Sequence, residues 1–374
     1  AVGHLARSRL TRIWCSMADI AVLGLRVDAS GAITASDNLG RALNKLDTAA
    51  GKSTDSLAKM GAKLAAIGIS SAGLLAAVKQ GMDFEKQMAL IATVTDTTTA
   101  SVMVLERQLL SLFSSLPVGS LEEMTKGLYD IISAGIPAGR SIEYLGVAAQ
   151  SAIAGVTSTA TAVDALTTVT NAWRADNISA GEAADKMFQA VNKGKITFEE
   201  LASSIGIIAP VAAAYKIKLE DVLGATAQLT LGGQTASIAL TGVRSAITNI
   251  LNPTAEFTNA FPELAKQFNA AKLEAVGFSQ FLIEFNKAVD GNKDKINALF
   301  TDIQGKTSVF SLLSDGGAAL QVQLDAVANS SGAMKGAFDK LSVTSSAAYQ
   351  LLKNNLTTTL IELGRMVLPT VNTV

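Results

Sequence analysis

The sequence predicts an all-α fold of many short to medium helices with glycine and proline breaks, in which a compact helical core is followed by extended helices. Apolar residues recur every three or four positions along most of the chain, as on one face of an α-helix. Capping boxes of the form Ser/Thr-x-x-Glu mark helix starts at Ser120–Glu123, Ser179–Glu182 and Thr197–Glu200. Aromatic residues make up only 5% of the chain, and abundant small residues favour close helix packing.

Residues 1–16 differ from the rest of the chain, because they are rich in arginine and hold its single histidine and its single cysteine. Met17 then opens a stretch that reads like a natural start. We therefore expect residues 1–16 to be an upstream extension of the reading frame or a processed segment. The apolar run Ile20–Val27 predicts a short N-terminal strand.

Residues 17–82 combine this strand-like lead-in with Ala-rich helices. Leu64–Val78 is a run without a charged residue, flanked by Lys63 and Lys79. A membrane-spanning helix needs about 20 apolar residues. The run is shorter than that, so we interpret it as a buried or oligomer-facing helix.

Residues 83–253 form the predicted helical core, and one unit appears twice within it. Residues 145–173 align without gaps on residues 223–251 at an offset of 78, with eight of 29 positions identical. Each copy reads as helix, glycine break, threonine, helix. A fixed offset of this kind is typical of a duplicated helical unit.

Residues 254–374 begin with a phenylalanine-rich helical region and end with a predicted amphipathic helix from Ser345 to Met366. Pro262 suits the first turn of a helix. We expect this region to lead toward a longer helical rod, with the sequence truncated before the rod itself.

Two glycine-containing segments resemble phosphate-binding motifs, but each lacks a residue that the motif requires. Gly51-Lys52-Ser53 resembles the end of a P-loop, but the first glycine of that motif is replaced by Leu46. Gly232–Gly233 precedes a helix, but no lysine comes after it to bind a phosphate, so a turn between helices is the better interpretation.

The acidic pairs Glu122–Glu123, Glu199–Glu200 and Glu220–Asp221 lie where helices begin, which favours helix capping over acid–base catalysis. One cysteine and one histidine exclude a disulfide framework, an HExxH motif and a triad built on a core histidine. A net charge of −1 does not point to nucleic acid. We predict no enzyme activity, no catalytic residues, no cofactor and no metal site.

Several segments carry a family likeness. They are Phe84–Ala89 (FEKQMA), Leu116–Pro137 (LPVGSLEEMTKGLYDIISAGIP), the Asn171-Ala-Trp segment, the Phe198-Glu-Glu-Leu helix and the close GGQTASIALTGVRSAITNILNP at 232–253. In order and spacing the region from Asp83 to Pro253 resembles the core of tail tape-measure proteins of long-tailed bacteriophages and prophages.

The resemblance implies a structural role. Such a protein lies in the lumen of the tail tube, sets tail length and is released when the DNA is ejected. It implies as partners the tail tube and tail-tip proteins, tail assembly chaperones, further copies of the chain and the host membrane during ejection, with no sequence-specific nucleic acid. It places the protein in the virion, and in the host cytoplasm during assembly.

Two other functions stay open at this point. The first is a membrane-active helical protein that forms a pore or lines a channel, which Leu64–Val78 and the mean hydropathy of +0.33 would support. The second is a peptidoglycan hydrolase with an atypical site.

Overall fold

The computed structural model describes residues 71–95 and 99–371, and these residues form nineteen α-helices, two short 3-10 helices and no strand. The all-α prediction is therefore confirmed. The predicted strand Ile20–Val27, the Gly51-Lys52-Ser53 segment and the start of the Leu64–Val78 run lie outside the described residues.

The helices are named here in chain order. They are α1 (Ser71–Thr93), α2 (Thr99–Ser115), α3 (Leu121–Ser133), α4 (Ala138–Gly155), α5 (Thr159–Ala172), α6 (Ala180–Lys193), α7 (Phe198–Ser204), α8 (Ala209–Tyr215), α9 (Leu219–Leu231), α10 (Ala236–Leu251), α11 (Ala255–Ala260), α12 (Pro262–Gln267), α13 (Ala270–Val276), α14 (Phe278–Ala288), α15 (Lys293–Leu299), α16 (Ile303–Leu312), α17 (Ala318–Ala328), α18 (Ala333–Ser342) and α19 (Ser345–Val371).

The chain divides into two compact units. The terminal unit comprises residues up to 122 together with those from 343 onward, and its described helices include α1, α2 and α19. The central unit comprises residues 123–342. The terminal unit is thus assembled from two stretches of chain that are separated by more than 200 residues. The division into 17–82, 83–253 and 254–374 rests on sequence patterns and stays a prediction.

In the terminal unit, α1 and α19 approach each other closely at two glycines. A methyl group at Gly364 would lie 2.1 Å from the carbonyl oxygen of Ala77, and one at Gly81 would lie 3.2 Å from the backbone nitrogen of Arg365. No larger side chain fits between backbones at such a distance. Arg365 of α19 also forms an ion pair with Glu106 of α2, so the same region of α19 binds both of its neighbours.

A buried asparagine of α19 closes the end of α2. The Asn354 Nδ2 group, in a side chain that is only 1% exposed, donates to the carbonyl oxygens of Phe113, Leu116 and Val118 at 3.3, 2.9 and 3.0 Å. The last carbonyls of a helix have no partner within it, so a side chain from elsewhere must bind them when they are buried. On the same helix, Gln350 donates to the Val118 carbonyl as well and to that of Gly119, and Asn355 donates to that of Ser114.

In the central unit, the two copies of the sequence repeat are both helical hairpins: α4 with α5, and α9 with α10. Helix α6 packs against α4, α5 and α9. The N-caps of α5 and α10 are Ser158 and Thr235, and each side chain accepts from the backbone nitrogen three residues later.

The register of the two copies changes at the turn. Of nine buried positions in α4, eight coincide with buried positions of α9 at an offset of 78, and six do so at 77. Of seven buried positions in α5, six coincide with those of α10 at an offset of 77, and three do so at 78. The ungapped alignment therefore fits the first helix of each hairpin, whereas the second helix is shifted by one residue. The duplication itself stays a prediction.

The shift is already present at the left-handed residues of the two turns, which are 77 positions apart, although three residues separate α4 from α5 and four separate α9 from α10. The left-handed residue after α4 is Val156, with φ 53°, and after α9 it is Gly233, with φ 94°. Asn171 and Asn249, which are paired in the ungapped alignment, consequently have different partners. Asn171 donates to the carbonyl oxygen of Ala134, whereas Asn249 donates to the Asp302 carboxylate.

The phenylalanine-rich region forms an aromatic core within the central unit. Phe285 lies at its centre, with ring centroids 5.2 to 6.4 Å from those of four other phenylalanines: Phe257, Phe268, Phe281 and Phe300. Pro262 is the first residue of α12, as predicted. The final helix begins at Ser345 as predicted but runs to Val371, five residues beyond the expected end at Met366.

Substitutions at two adjacent residues near the α4–α5 turn should change the stability of the protein in opposite directions. Val156→Gly should stabilise the protein by about 1 kcal/mol, because a left-handed conformation strains a β-branched residue and Val156 is 82% exposed, so little packing is lost. Gly155→Ala should destabilise it by about 1–3 kcal/mol, since the new methyl group would lie 2.7 Å from the Phe198 side chain. Thermal unfolding followed by circular dichroism tests both, and a lower melting temperature for Val156→Gly would contradict the strain.

Replacing Asn354 should destabilise the terminal unit. Asn354→Leu keeps the volume but removes the donor to three carbonyls, of which Val118 keeps Gln350 and Leu116 keeps a backbone nitrogen, so the loss should cost about 1–3 kcal/mol. The measurement is the urea midpoint of unfolding, with Lys353→Ala on the exposed side of the same helix as the control. Equal midpoints for the two variants would show that the Asn354 contacts contribute nothing.

Candidate functional site

The acidic pairs weighed as catalytic carboxylates lie at helix starts, and four of the six side chains contact backbone nitrogens or a lysine. Glu122 and Glu123 lie in the first turn of α3, Glu199 and Glu200 in that of α7, and Glu220 and Asp221 in that of α9. The structure does not bring these pairs together into one constellation. The capping role is thus the one that the geometry supports.

Two capping boxes are confirmed in full. Ser179 accepts from the backbone nitrogen of Glu182, whose carboxylate accepts from that of Ser179. Thr197 and Glu200 repeat the arrangement at α7. The hydrogen bonds from Ser179 lower the pKa of Glu182, so this carboxylate is held in its ionised form.

Other acidic side chains cap helices to which they do not belong. The Glu123 carboxylate of α3 accepts from the backbone nitrogen of Thr159 at 2.5 Å, at the start of α5. The Asp185 carboxylate of α6 accepts from the backbone nitrogens of Gly332 and Met334 at 2.8 and 3.0 Å, at the start of α18. A negative charge in these positions is also favoured by the helix dipole.

Asp221 is the most buried of these carboxylates, with a side chain that is 7% exposed. It accepts from the backbone nitrogens of Phe278 and Ser279 at 3.1 and 3.3 Å, where α14 begins. The N-cap of α14 is Gly277, which has no side chain and whose φ of 82° suits glycine. Asp221 therefore supplies the missing cap from another helix. A methyl group at Gly277 would lie 2.7 Å from this carboxylate, so the glycine leaves it room.

Burial raises the pKa of Asp221 above the ordinary aspartate value, although the hydrogen bonds from α14 and the charge of Lys218 oppose this shift. Burial also raises the pKa of Tyr144 to about 12, and its hydroxyl contacts Thr170 Oγ1 at 2.9 Å. Glu220 is ionised beside Lys186, because this lysine lowers its pKa against the effect of burial. None of these three groups faces a second carboxyl group in an acid–base arrangement within the described part of the chain.

The described residues also contain no cluster of three or more histidine, cysteine, aspartate or glutamate side chains that could hold a metal ion. Gly232 and Gly233 form the turn between α9 and α10, as predicted.

Within the described part of the chain, no single helix is both long and apolar enough to cross a membrane. Helices α4 and α5 meet the length and composition requirement only as a pair, and they are bent by 118° at the turn between them.

Sequence reasoning missed the long-range caps. Asp185, Asp221 and Asn354 carry no local capping motif, and each contacts a backbone segment that lies at least 57 residues away. One usable signal existed for Asp221, because Gly277 directly precedes a helix and cannot cap it. Because glycine has no side-chain acceptor, the first backbone nitrogens of that helix need one from elsewhere or from water.

Comparison with known proteins gives a consistent result. The sequence model of the family described as phage-related minor tail protein matches residues 106–305. A probable tape measure protein of Clostridium phage phiCD119 is 24% identical over 356 residues, which cover 90% of this chain and 38% of that protein. The tape measure protein of Pneumococcus phage Dp-1 is 23% identical over 265 residues, which cover 70% of this chain and 23% of that protein. No solved structure matches the chain. The resemblance drawn from the sequence is thereby confirmed.

The stability that Asp221 contributes should depend on pH. Its folded pKa is raised, so its contribution is fully present below the unfolded pKa and is lost as pH rises through the folded pKa. From about pH 4 to about pH 7 the wild type should lose stability relative to Asp221→Asn, which carries no charge at either pH. Urea unfolding at several pH values measures this difference.

Asp176→Asn, which removes a carboxyl group at an exposed position, is measured alongside as the control. A wild type that gains stability over Asp221→Asn with rising pH would show that the hydrogen bonds from α14 outweigh burial.

Proposed function

Because the chain belongs to the family of phage-related minor tail proteins, we propose that it is a structural tail-assembly protein that lies in the lumen of the tail tube and sets tail length. The observation that carries the proposal is the family match over residues 106–305, together with two relatives that are named as tape measure proteins. The protein would leave the tube when the DNA is ejected.

The architecture supports this role in one part of a longer protein. The chain spans 38% and 23% of the length of the two relatives. A ruler gains length most directly as continuous helix, at about 1.5 Å per residue. The described residues instead fold back into two compact units, so we assign them to a head and the measuring length to helix elsewhere in the protein.

The partners are inferred from the same role. We infer contacts with tail tube and tail-tip proteins, with tail assembly chaperones and with further copies of the chain, and contact with the host membrane during ejection. The protein would be a virion component that is present in the host cytoplasm during assembly. Small residues at helix contacts, such as Gly81 and Gly364, show how closely these helices pack, and similar faces would allow copies to associate in a narrow tube.

We also infer that the chain is not an enzyme. The carboxylates that first suggested chemistry bind backbone nitrogens and lysines: Glu123, Glu200 and Asp221 cap helices, and Glu220 pairs with Lys186. Groups engaged in this way are not available to transfer protons to a substrate. A structural role requires no more than these contacts provide.

Tail length in a phage that carries this gene tests the proposal. Insertion of about 28 residues into a long helical segment outside residues 71–371 should lengthen the tail by about 42 Å, at 1.5 Å per residue. Electron microscopy of negatively stained particles measures the lengths. A deletion of the same size within the central unit is the matched control: because it disrupts a compact fold, it should abolish tails and not shorten them proportionally. Tails of unchanged length after the insertion would refute the ruler role.

A further inference from the structure

Helix α18 is attached to the central unit by few buried side chains. The structure describes all ten of its residues, and among them only Met334 is buried, while Ala333, Ala337, Phe338 and Ser342 are half-buried. The neighbouring α17, with eleven residues, buries Leu320, Gln323 and Val327. Because burial of apolar side chains supplies most of the stability of a short helix in a protein, α18 is held weakly for its length.

The main polar attachment of α18 is the Asp185 carboxylate. One oxygen accepts from the backbone nitrogen of Gly332 and the other from that of Met334. These two bonds cross from α6 to the first turn of α18 and fix its start. In contrast, the Lys335–Asp339 ion pair lies within α18 itself and does not bind it to the rest of the unit.

The helix is also weak in itself. It has ten residues, fewer than the roughly 12–15 that an isolated helix needs for even marginal stability in water. Gly336 lies in its interior, where nothing within 4 Å would oppose a methyl group. Glycine at such a site disfavours the helix without any packing need for it.

Helix α18 lies at one of the places where the chain passes from one unit to the other. It is the last helix of the central unit, and only Val343 and Thr344 separate it from α19 of the terminal unit. The chain also passes between the units within α3, at Glu122–Glu123, so opening of α18 changes only one of two connections.

We propose that α18 is a strap that releases from α4 and α6 as one cooperative segment when the Asp185 contacts break, while the rest of the central unit stays folded. Release lengthens the connection to α19, because ten residues span about 15 Å as a helix and about 33–36 Å when extended. The chain between α17 and α19 then gains length at the expense of this one helix. The proposal concerns the fold and does not require the tail-length role.

Hydrogen exchange followed by mass spectrometry on the full chain tests the strap. Backbone amides of α18 should exchange at least about ten-fold faster than those of α14, which buries six side chains in the same unit. Amides of α17 should exchange like those of α14. If α18 exchanges only as slowly as α14, it opens with the whole unit and the proposal is wrong.

Three variants separate release of the strap from general destabilisation. Asp185→Ala should accelerate exchange in α18 by about ten-fold, because it removes the cap, and should leave α14 unchanged. Gly336→Ala should slow exchange in α18 by about five-fold. Asp339→Ala, which removes only the ion pair within the helix, is the matched control and should change exchange by no more than about two-fold. Equal acceleration of α14 and α18 in Asp185→Ala would overturn the proposal.

Discussion

The helix ends are the constraint on which the rest of this structure depends. Each α-helix leaves backbone nitrogens at its start and carbonyl oxygens at its end without partners inside the helix. A chain cut into helices as short as six residues has many such ends for its length, and those that are buried must be bound by something else. The fold meets this need with polar side chains, some from the adjacent turn and some from distant helices.

The distant caps decide which segments belong together. Asn354 binds the end of α2 and so joins two stretches of chain into one terminal unit. Asp221 binds the start of α14 and connects the hairpin of α9 and α10 to the phenylalanine core. A buried acceptor or donor without its partner costs more free energy than an average hydrogen bond contributes, so these contacts act as constraints on topology.

The same requirement accounts for the contacts of many polar side chains in the described residues. Several carboxylates, among them Glu123 and Asp185, accept from backbone nitrogens, and several Thr hydroxyl groups donate to carbonyl oxygens one turn earlier, as at Thr226 and Thr230. Glycine allows helices to approach closely. Helices α10 and α16 touch where a methyl group at Gly242 would lie 1.9 Å from the Ser308 hydroxyl oxygen. A protein that works by association and length is compatible with polar groups used in this way.

The sequence by itself determined the helical class, two local capping boxes and the helix starts near Thr197 and Pro262, because helix periodicity and N-capping act over a few residues. It also carried the family likeness, which depends on residues and not on their placement. Only the tertiary structure decided the one-residue shift between α5 and α10, the division into units and the partners of Asp185, Asp221 and Asn354. These depend on where a helix ends and on groups brought together from distant parts of the chain, and local patterns hold no information about such contacts.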